Sequence, residues 1–300
     1  MADPGNCVDV LIIQSGRARE GVPIVDELLD LVDRGCGEKT PDFVVLSELA
    51  TTPSFCLAID KANFDLAEPL SGPTVRRFSE AARNHRCHIV LPFFEHDERT
   101  GAYYNTVALI GPDGRTVPGT LPDGTRVPAY RKVHLSENWN APPGVHEKYY
   151  FRPGPGFPIF PTPFGPAGML ICYDRSFPES WRTLRLMGAT FVFLPVLSWR
   201  SEREEMFFIE LRCAAVQNGI FIVSSSKGGT EDHGRPITFF GSSCAIGPDG
   251  DFLLRGPARE GPALLRTTLD LSQAREHALS QHYLRDRVPK AYELVSSISP

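Results

Sequence analysis

Residues 168–179 have the sequence GMLICYDRSFPE, in which an apolar, strand-like run ends on Cys172. A polar turn follows at once, and Pro178 and Glu179 then begin a helix. This order places a thiol at the tip of a buried strand, where a sharp turn can hold it beside backbone N–H groups. Cys172 is therefore a candidate nucleophile, although a cysteine buried in the core would fit the same stretch.

The composition is that of an ordinary soluble globular protein, with 300 residues and a net charge of −5. No cluster of Lys and Arg indicates a nucleic-acid or membrane-surface partner, and no apolar run is long enough to span a bilayer. The first residues lack the basic and apolar regions of a secretory signal, which favours a cytoplasmic location.

The seven cysteines are scattered along the chain and include no C-x-x-C pair. This pattern argues against a disulfide framework and against a structural zinc site, and it is typical of a reducing compartment. The local cluster His85, Cys87 and His88 straddles a predicted helix end and a predicted strand start. We therefore expect neither a metal nor another cofactor.

Strand and helix patterns alternate along the chain. Strands are predicted at about 8–13, 43–46, 88–94, 105–110, 157–160, 168–172, 191–195, 220–223, 242–246 and 264–269. Helices are predicted at about 22–32, 74–85 with Thr74 as a cap, 179–187, 202–217 and within the tail after 274. Residues 115–128 are rich in Gly and Pro and are predicted to form a surface loop or a short excursion.

The turn sequence Gly-Pro-Asp-Gly occurs twice, at 111–114 and at 247–250, each time after an apolar strand. Each half of the chain therefore offers strand–helix–strand units that end in the same turn. This repetition predicts two related αβ halves, packed sheet on sheet with the helices outside. No linker separates them, so a single domain is expected over 1–300.

Charged residues occur at two unusual places in this predicted arrangement of strands and helices. Glu48 directly follows the second strand, where a buried carboxylate must be paired, hydrogen-bonded or functional. The polar, irregular region that contains Lys132 and Glu147 and runs to Gly156 is long for a structureless connection, which indicates a functional role. Taken singly, each charge could equally be solvated or part of a structural ion pair.

The order of strand-Glu48, then RKVH at 131–134, then ICYDR at 171–175 resembles the nitrilase (carbon–nitrogen hydrolase) superfamily. The resemblance extends from Val8 to about Ser296. It implies an α/β fold, a four-layer αββα sandwich with an internal pseudo-twofold, whose core spans about 8–270. It also implies a Glu-Lys-Cys triad, a small-molecule substrate and no cofactor.

Finer marks favour one branch of the superfamily. The segment EKYYFRPG at 147–154 resembles the N-carbamoyl amine hydrolases. The segments SELATT at 47–52 and REH at 275–277 are most similar to the N-carbamoyl-D-amino acid amidohydrolases. The resemblance thus implies hydrolysis of a ureido C–N bond, with amino acid, CO2 and ammonia as products.

The resemblance also implies a role for each catalytic residue. Cys172 would be the nucleophile that forms a thioester, and Glu48 would accept and return its proton. Lys132 would stabilise the oxyanion together with the backbone N–H of Tyr173. Glu147 would hold the lysine and assist proton transfer.

Arg175, three residues after the nucleophile, suits bidentate capture of a carboxylate, so an N-carbamoyl amino acid is favoured over a carbamoylated amine. Arg175 could instead pair only with Asp174 or Glu179. By resemblance, the substrate-binding residues also include Tyr173, His134, Leu197 and Ser198. The departures from the D-amino-acid branch are Tyr173 for Asn, Ser176 for a second Arg, Leu197-Ser198 for Asn-Thr, and Val145 for His.

Several alternatives remain at this stage. The enzyme could be an amidase for another small carboxylated amide, or a hydrolase of the N-carbamoylputrescine or β-ureidopropionate type. A non-catalytic scaffold on this fold and a zinc-dependent amidohydrolase are further alternatives. The resemblance implies a homodimer or homotetramer that pairs through the helix after the cysteine, with Trp181, Leu184 and Leu186 as candidates, and through the tail at 271–300.

Overall fold

The computed structural model describes residues 6–37, 39–139, 144–199 and 201–297. Its strands are β1 (Cys7–Gln14), β2 (Phe43–Leu46), β3 (His88–Asp97), β4 (Ala102–Ile110), β5 (Gly119–Thr120), β6 (Arg126–Val127), β7 (Tyr130–Arg131), β8 (Glu137–Asn138), β9 (Val145–His146), β10 (Ile159–Phe160), β11 (Ala167–Met169), β12 (Phe191–Val196), β13 (Phe221–Ser226), β14 (Gly228–Asp232), β15 (Pro236–Phe240), β16 (Cys244–Ile246), β17 (Phe252–Arg255) and β18 (Ala263–Asp270).

Helices alternate with these strands in both halves of the chain. The α-helices are α1 (Ile24–Cys36), α2 (Pro73–His85), α3 (Glu147–Tyr150), α4 (Pro178–Leu186), α5 (Glu204–Asn218), α6 (Ser272–Ser280) and α7 (Glu293–Ser297). Short 3₁₀ helices lie at Phe55–Leu57, Lys61–Leu66, Cys172–Ser176, Ser201–Arg203 and Pro289–Tyr292. Within the described ranges, no helix is long and apolar enough to cross a membrane.

Two sheets carry the fold. The strand order is β18-β1-β2-β3-β4-β7 in one and β17-β16-β13-β12-β11-β10-β5-β6 in the other. The parallel strands β1-β2-β3 of the first correspond to the parallel strands β11-β12-β13 of the second. In both halves an antiparallel strand follows and leads into the repeated Gly-Pro-Asp-Gly turn. The predicted repeat of two αβ halves is therefore confirmed.

The layers follow from the burial of each face. One apolar cluster joins the inner faces of both sheets, with Val10 and Phe43 from the first sheet and Met169 and Phe193 from the second. The outer face of the first sheet packs against α1 and α2, and that of the second packs against α4 and α5. Because both faces of each sheet are covered, the central strands β2 (FVVL) and β12 (FVFLPV) are apolar along their whole length. This is the predicted four-layer αββα sandwich.

The last strand ties the two halves together. β18 pairs antiparallel with β1 along its whole length, from Cys7 opposite Asp270 to Gln14 opposite Ala263. The chain thus returns from the second half to close the edge of the first sheet. This pairing favours the single domain expected from the sequence.

Three local predictions differ from the structure. Gly72, not Thr74, is the N-terminal cap of α2, because the Thr74 N–H and hydroxyl both donate to the Glu68 carboxylate at 2.8 and 2.6 Å. The supposed loop at 115–128 contains the hairpin β5–β6, which extends the second sheet. The hairpin β14–β15 was not predicted, since its first strand, GGTED, is polar.

The candidate interface residues on α4 differ in exposure. Trp181 and Leu184 belong to the core between α4 and the second sheet, where they are almost fully buried. Leu186 is 55 % exposed. Of these three residues, only Leu186 can therefore contact another subunit.

Candidate active site

Cys172 begins a 3₁₀ helix just after β11, and its backbone has a φ of 44°. A left-handed conformation at a non-glycine residue costs about 1–3 kcal/mol, so surrounding contacts must hold it. The buried Asp174 carboxylate accepts the Ile171 N–H at 3.0 Å and the Tyr130 hydroxyl at 2.6 Å. These bonds hold the sharp turn that the sequence predicted at this strand end.

His134 lies behind this turn. Its backbone N–H and its Nδ1 are both 2.9 Å from Asp174 Oδ1, and its ring stacks on Phe177 with centroids 3.5 Å apart. His134 is not among the described residues that line the cavity beside Cys172. Although predicted to bind substrate, it is placed to hold Asp174 instead.

Glu48, Lys132 and Glu147 form a buried chain of charges. Lys132 Nζ lies 2.7 Å from Glu48 Oε1 and 2.6 Å from Glu147 Oε1, and the lysine is 1 % exposed. Glu147 Oε2 also accepts the Ser136 N–H at 2.6 Å. The structure thus brings together three residues that lie far apart in the sequence.

Two further groups orient the Glu48 carboxylate. Asn105 Nδ2 donates to Oε1 at 2.8 Å, and the Leu197 N–H donates to Oε2 at 2.9 Å. Asn105 was not predicted as a site residue. The available signal in the sequence was an amide at the start of the predicted strand 105–110, shortly before the apolar run VALI.

The thiol shares the Leu197 peptide with Glu48. Cys172 Sγ donates to the Leu197 carbonyl at 3.5 Å, while Glu48 accepts from the N–H of the same residue. Cys172 is partly exposed to the cavity but otherwise enclosed by protein. The Cys172 thiol and the Glu48 carboxylate therefore both bond the backbone of Leu197, in the loop after β12.

The electrostatics keep the resting thiol protonated. Burial raises the pKa of Cys172 to about 12, with the negative charge of Glu48 adding to the effect and the cations Lys132 and Arg175 opposing it. Burial alone would lower the pKa of Lys132, but Glu147 and Glu48 outweigh it and raise that pKa well above the usual range. The lysine is thus a permanent cation, and the thiol needs a base when it attacks.

Glu147 titrates near neutrality. Burial raises its pKa to about 7, helped by the charge of Glu48, while Lys132 acts in the opposite direction. Both carboxylates bond the single Lys132 ammonium, so one cation faces two acidic side chains. The site can therefore hold or release one proton at physiological pH.

Arg175 is buried beneath the nucleophile. Its Nη1 donates to the Cys172 carbonyl at 2.8 Å and lies 3.6 Å from Sγ, and its Nε is 2.9 Å from Glu210 Oε2. The sequence-based alternative named Asp174 or Glu179 as the partner, but the partner is Glu210 on α5. The positive charge beside the nucleophile is therefore already balanced by a carboxylate.

A cavity of about 120 Å³ opens over these groups. The predicted wall residues Tyr173, Leu197 and Ser198 line it, whereas Trp199 and Arg203 line it without having been predicted. The other described lining residues are Glu48, Leu49, Ser54, Cys56, Leu57, Ser136, Asn138, Val145, Glu147, Cys172 and Arg175. The wall thus combines the reactive thiol, two carboxylates and a largely apolar surface.

The part of the chain that the structure describes contains few clustered metal-ligating side chains. No group of three or more His, Cys, Asp and Glu side chains there could hold a metal ion. In the cluster noted in the sequence, His85 pairs with Asp33, and His88 Nδ1 lies 3.2 Å from the Asp42 carbonyl.

Comparisons with known proteins agree with this geometry. The family model of the carbon–nitrogen hydrolases matches residues 18–278. N-carbamoylputrescine amidase of Solanum lycopersicum is 31% identical over 278 residues, which cover 88% of this chain and 87% of that protein. Citrullinase of Francisella tularensis is 29% identical over 261 residues, covering 83% and 85%. A carbon–nitrogen hydrolase from Helicobacter pylori G27 superposes with a TM-score of 0.86 at 25% identity, covering 98% and 99%.

Proposed function

Because this chain belongs to the carbon–nitrogen hydrolase family and is a hydrolase of non-peptide C–N bonds, we propose that it cleaves N-carbamoyl amino acids. The products would be an amino acid, CO2 and ammonia. One observation carries the proposal: Cys172 and Glu48 line one cavity and share the Leu197 peptide, while Lys132 bridges Glu48 to Glu147.

In the first half-reaction, Cys172 Sγ attacks the ureido carbonyl carbon while Glu48 takes the thiol proton. Transfer concerted with attack is required because a thiol with a pKa of about 12 is not ionised at rest. The negative oxygen that forms is stabilised by Lys132 and by the Tyr173 N–H, which lies in the first turn of the 3₁₀ helix. Glu48 then protonates the amino nitrogen, the C–N bond to the amino acid breaks, and a carbamoyl thioester remains.

In the second half-reaction, water attacks the thioester while Glu48 accepts its proton. The C–S bond breaks, the proton returns to Cys172, and carbamic acid leaves and decomposes to CO2 and ammonia. Glu147 holds Lys132 against Glu48 through both steps, and its own titration near pH 7 sets the net charge of the site.

The relatives support a ureido substrate, and the charges of the wall support a carboxylated one. Two similar proteins are named for ureido compounds, N-carbamoylputrescine and citrulline. The acidic residues of the described wall, Glu48 and Glu147, are both paired with Lys132, so a cationic substrate tail would find no free carboxylate there. This favours a carboxylated ureido compound over a carbamoylated amine.

A substrate panel tests the proposal. Ammonia and CO2 release should be measured with N-carbamoyl-D-, L- and β-amino acids, N-carbamoylputrescine and simple amides. We expect both gases from N-carbamoyl amino acids, and no turnover by Cys172→Ala, with Cys213→Ala, an exposed cysteine, as the matched control. Ammonia without CO2 from carboxylated amides would replace the proposal with an amidase activity, and full activity of Cys172→Ala would refute the mechanism.

We also propose a homo-oligomer and a cytoplasmic location. The exposed apolar side chains Leu186, Leu279 and Leu294, which are 55, 71 and 68 % exposed, support self-association through α4 and the tail. Light scattering coupled to size-exclusion chromatography would measure the mass, and a monomer at micromolar concentration would contradict the proposed association.

A further inference from the structure

We infer that Arg203 binds the carboxylate of the substrate, and that Arg175 serves instead to hold the nucleophile's backbone. The inference rests on the proposed function, because it concerns how that substrate is selected. Both arginines line the cavity that contains Cys172, so either could in principle meet an anionic substrate. They differ in whether a carboxylate of the protein already pairs with the guanidinium, and this difference decides which one can bind a substrate anion.

Arg175 is committed to the protein. Two of its nitrogens face the Cys172 carbonyl and Glu210, and the residue is 8 % exposed. Its guanidinium also lies over the ring of Phe207, 5.3 Å from the centroid. A substrate carboxylate would have to approach a cation that Glu210 already neutralises, so Arg175 is poorly suited to select anions.

Arg203, in contrast, is exposed, and its guanidinium is unpaired among the described residues. It ends the short helix Ser201–Arg203 and stands at the N-terminal cap of α5, with its side chain exposed at the cavity. Its guanidinium forms no hydrogen bond or ion pair with the residues in the described ranges. An unpaired guanidinium at the edge of a cavity attracts an anion and can bind a carboxylate through two parallel hydrogen bonds.

The glutamates that flank Arg203 at positions 202, 204 and 205 all lie outside ion-pair distance of its guanidinium. Glu204, the next residue, accepts a hydrogen bond from the Ser242 hydroxyl and lies 3.6 Å from Arg259 Nη2. Glu204 is therefore directed toward Ser242 and Arg259, which lie on either side of the hairpin β16–β17. The long Arg203 side chain is free to close on a carboxylate while the ureido group of the same molecule lies at Cys172.

A matched pair of substrates isolates the carboxylate. N-carbamoyl-β-alanine and propylurea share the ureido group and a three-carbon chain and differ in the carboxylate. We expect Arg203→Ala to lower kcat/KM for N-carbamoyl-β-alanine by roughly ten- to a hundredfold, mainly through KM, and to leave propylurea unchanged. Arg203→Lys should recover part of the loss, and Arg126→Ala, which removes an exposed arginine outside the cavity wall, should change neither substrate.

Charge reversal gives a second readout. Arg203→Glu should lower activity on N-carbamoyl-β-alanine further and raise it on the cation N-carbamoylputrescine. Equal losses on N-carbamoyl-β-alanine and propylurea, or no loss on the carboxylated substrate, would overturn the inference.

Failure of the proposed function is separable from failure of this inference. If the enzyme cleaves succinamic acid but no ureido compound, the ureido proposal fails. The role of Arg203 is then tested by comparing the effect of Arg203→Ala on kcat/KM for succinamic acid and for butyramide. If the enzyme cleaves propylurea and N-carbamoylputrescine but no carboxylated compound, the ureido chemistry stands and the role of Arg203 is overturned.

Discussion

Arg175 Nε lies 2.9 Å from Glu210 Oε2, so α5 supplies the counter-charge for the guanidinium that supports the nucleophile. The same carboxylate accepts the Ser176 hydroxyl at 2.9 Å through its other oxygen. Glu210 thus joins α5 to two consecutive residues, Arg175 and Ser176, at the C-terminal end of the turn that begins at Cys172. The position of the thiol depends on this helix as well as on its own strand.

Replacing Glu210 should therefore affect all substrates alike. Glu210→Gln removes the charge that holds Arg175, and we expect the free energy of unfolding to fall by about 1–3 kcal/mol. We also expect kcat to fall severalfold for N-carbamoyl-β-alanine and propylurea by the same factor. Urea unfolding and steady-state kinetics measure both, with the exposed Glu205→Gln on α5 as control. A loss confined to the carboxylated substrate would mean that Arg175 does bind the carboxylate.

Alkylation of the free enzyme should report the protonated thiol. With a pKa of about 12 for Cys172, the thiolate fraction rises tenfold for each pH unit over the accessible range. In a Cys213→Ala background, which removes the exposed competing thiol, inactivation by iodoacetamide should accelerate about tenfold per unit between pH 7 and 9. A rate that levels off below pH 8 would show that the resting thiol is ionised near neutrality.

Glu147 should make stability depend on pH. Its pKa of about 7 in the folded protein lies above its ordinary value of 4.5, so between these values the folded state binds a proton that the unfolded chain has lost. This contribution is fully present below about pH 4.5 and is lost as pH rises through about 7. Between these two pH values the free energy of unfolding should fall with rising pH, and Glu147→Gln should reduce that fall by roughly a few kcal/mol in unfolding experiments. The exposed Glu98→Gln should retain it, and an unchanged slope in Glu147→Gln would contradict the assignment.

A second buried ion pair should stabilise the wall of the cavity. Lys227 is 4 % exposed, pairs with Glu231, and donates to the Ser54 hydroxyl at 3.0 Å. Lys227→Met leaves Glu231 with the His233 ring at 3.1 Å but without its lysine, and we expect the free energy of unfolding to fall by about 1–3 kcal/mol. Lys227→Met/Glu231→Leu should regain much of that loss, and the exposed Lys61→Met serves as control. A single variant as stable as the parent would show that the pair contributes nothing.

Local patterns in the sequence were sufficient for the framework. Apolar runs such as FVVL and FVFLPV predict strands buried on both faces, and the repeated Gly-Pro-Asp-Gly turn predicts two related halves. The candidates Glu48 and Cys172 were recognisable because each lies just beyond an apolar strand. These signals are local, since they depend on side-chain periodicity and on the cost of burying a charge.

The partners of these residues could not be obtained in the same way. Asn105 bonds Glu48 across 57 positions because β4 lies in the same sheet as β2, and Leu197 does so across 149 because it follows β12 of the facing sheet. His134 was expected in the cavity but lies behind Asp174, and Arg175 pairs with a residue of α5. No spacing rule relates such positions.

The sequence by itself thus determined the two halves, the candidate nucleophile and the three charged residues around which a hydrolytic site can form. Only the tertiary structure decided which arginine is neutralised and which is free. That distinction depends on the packing of α5 against the turn at Cys172, which brings Glu210 to Arg175 and leaves Arg203 exposed at the cavity without a carboxylate among the residues described. Charge compensation over such distances is set by the order of the strands and the docking of helices, which a local pattern does not encode.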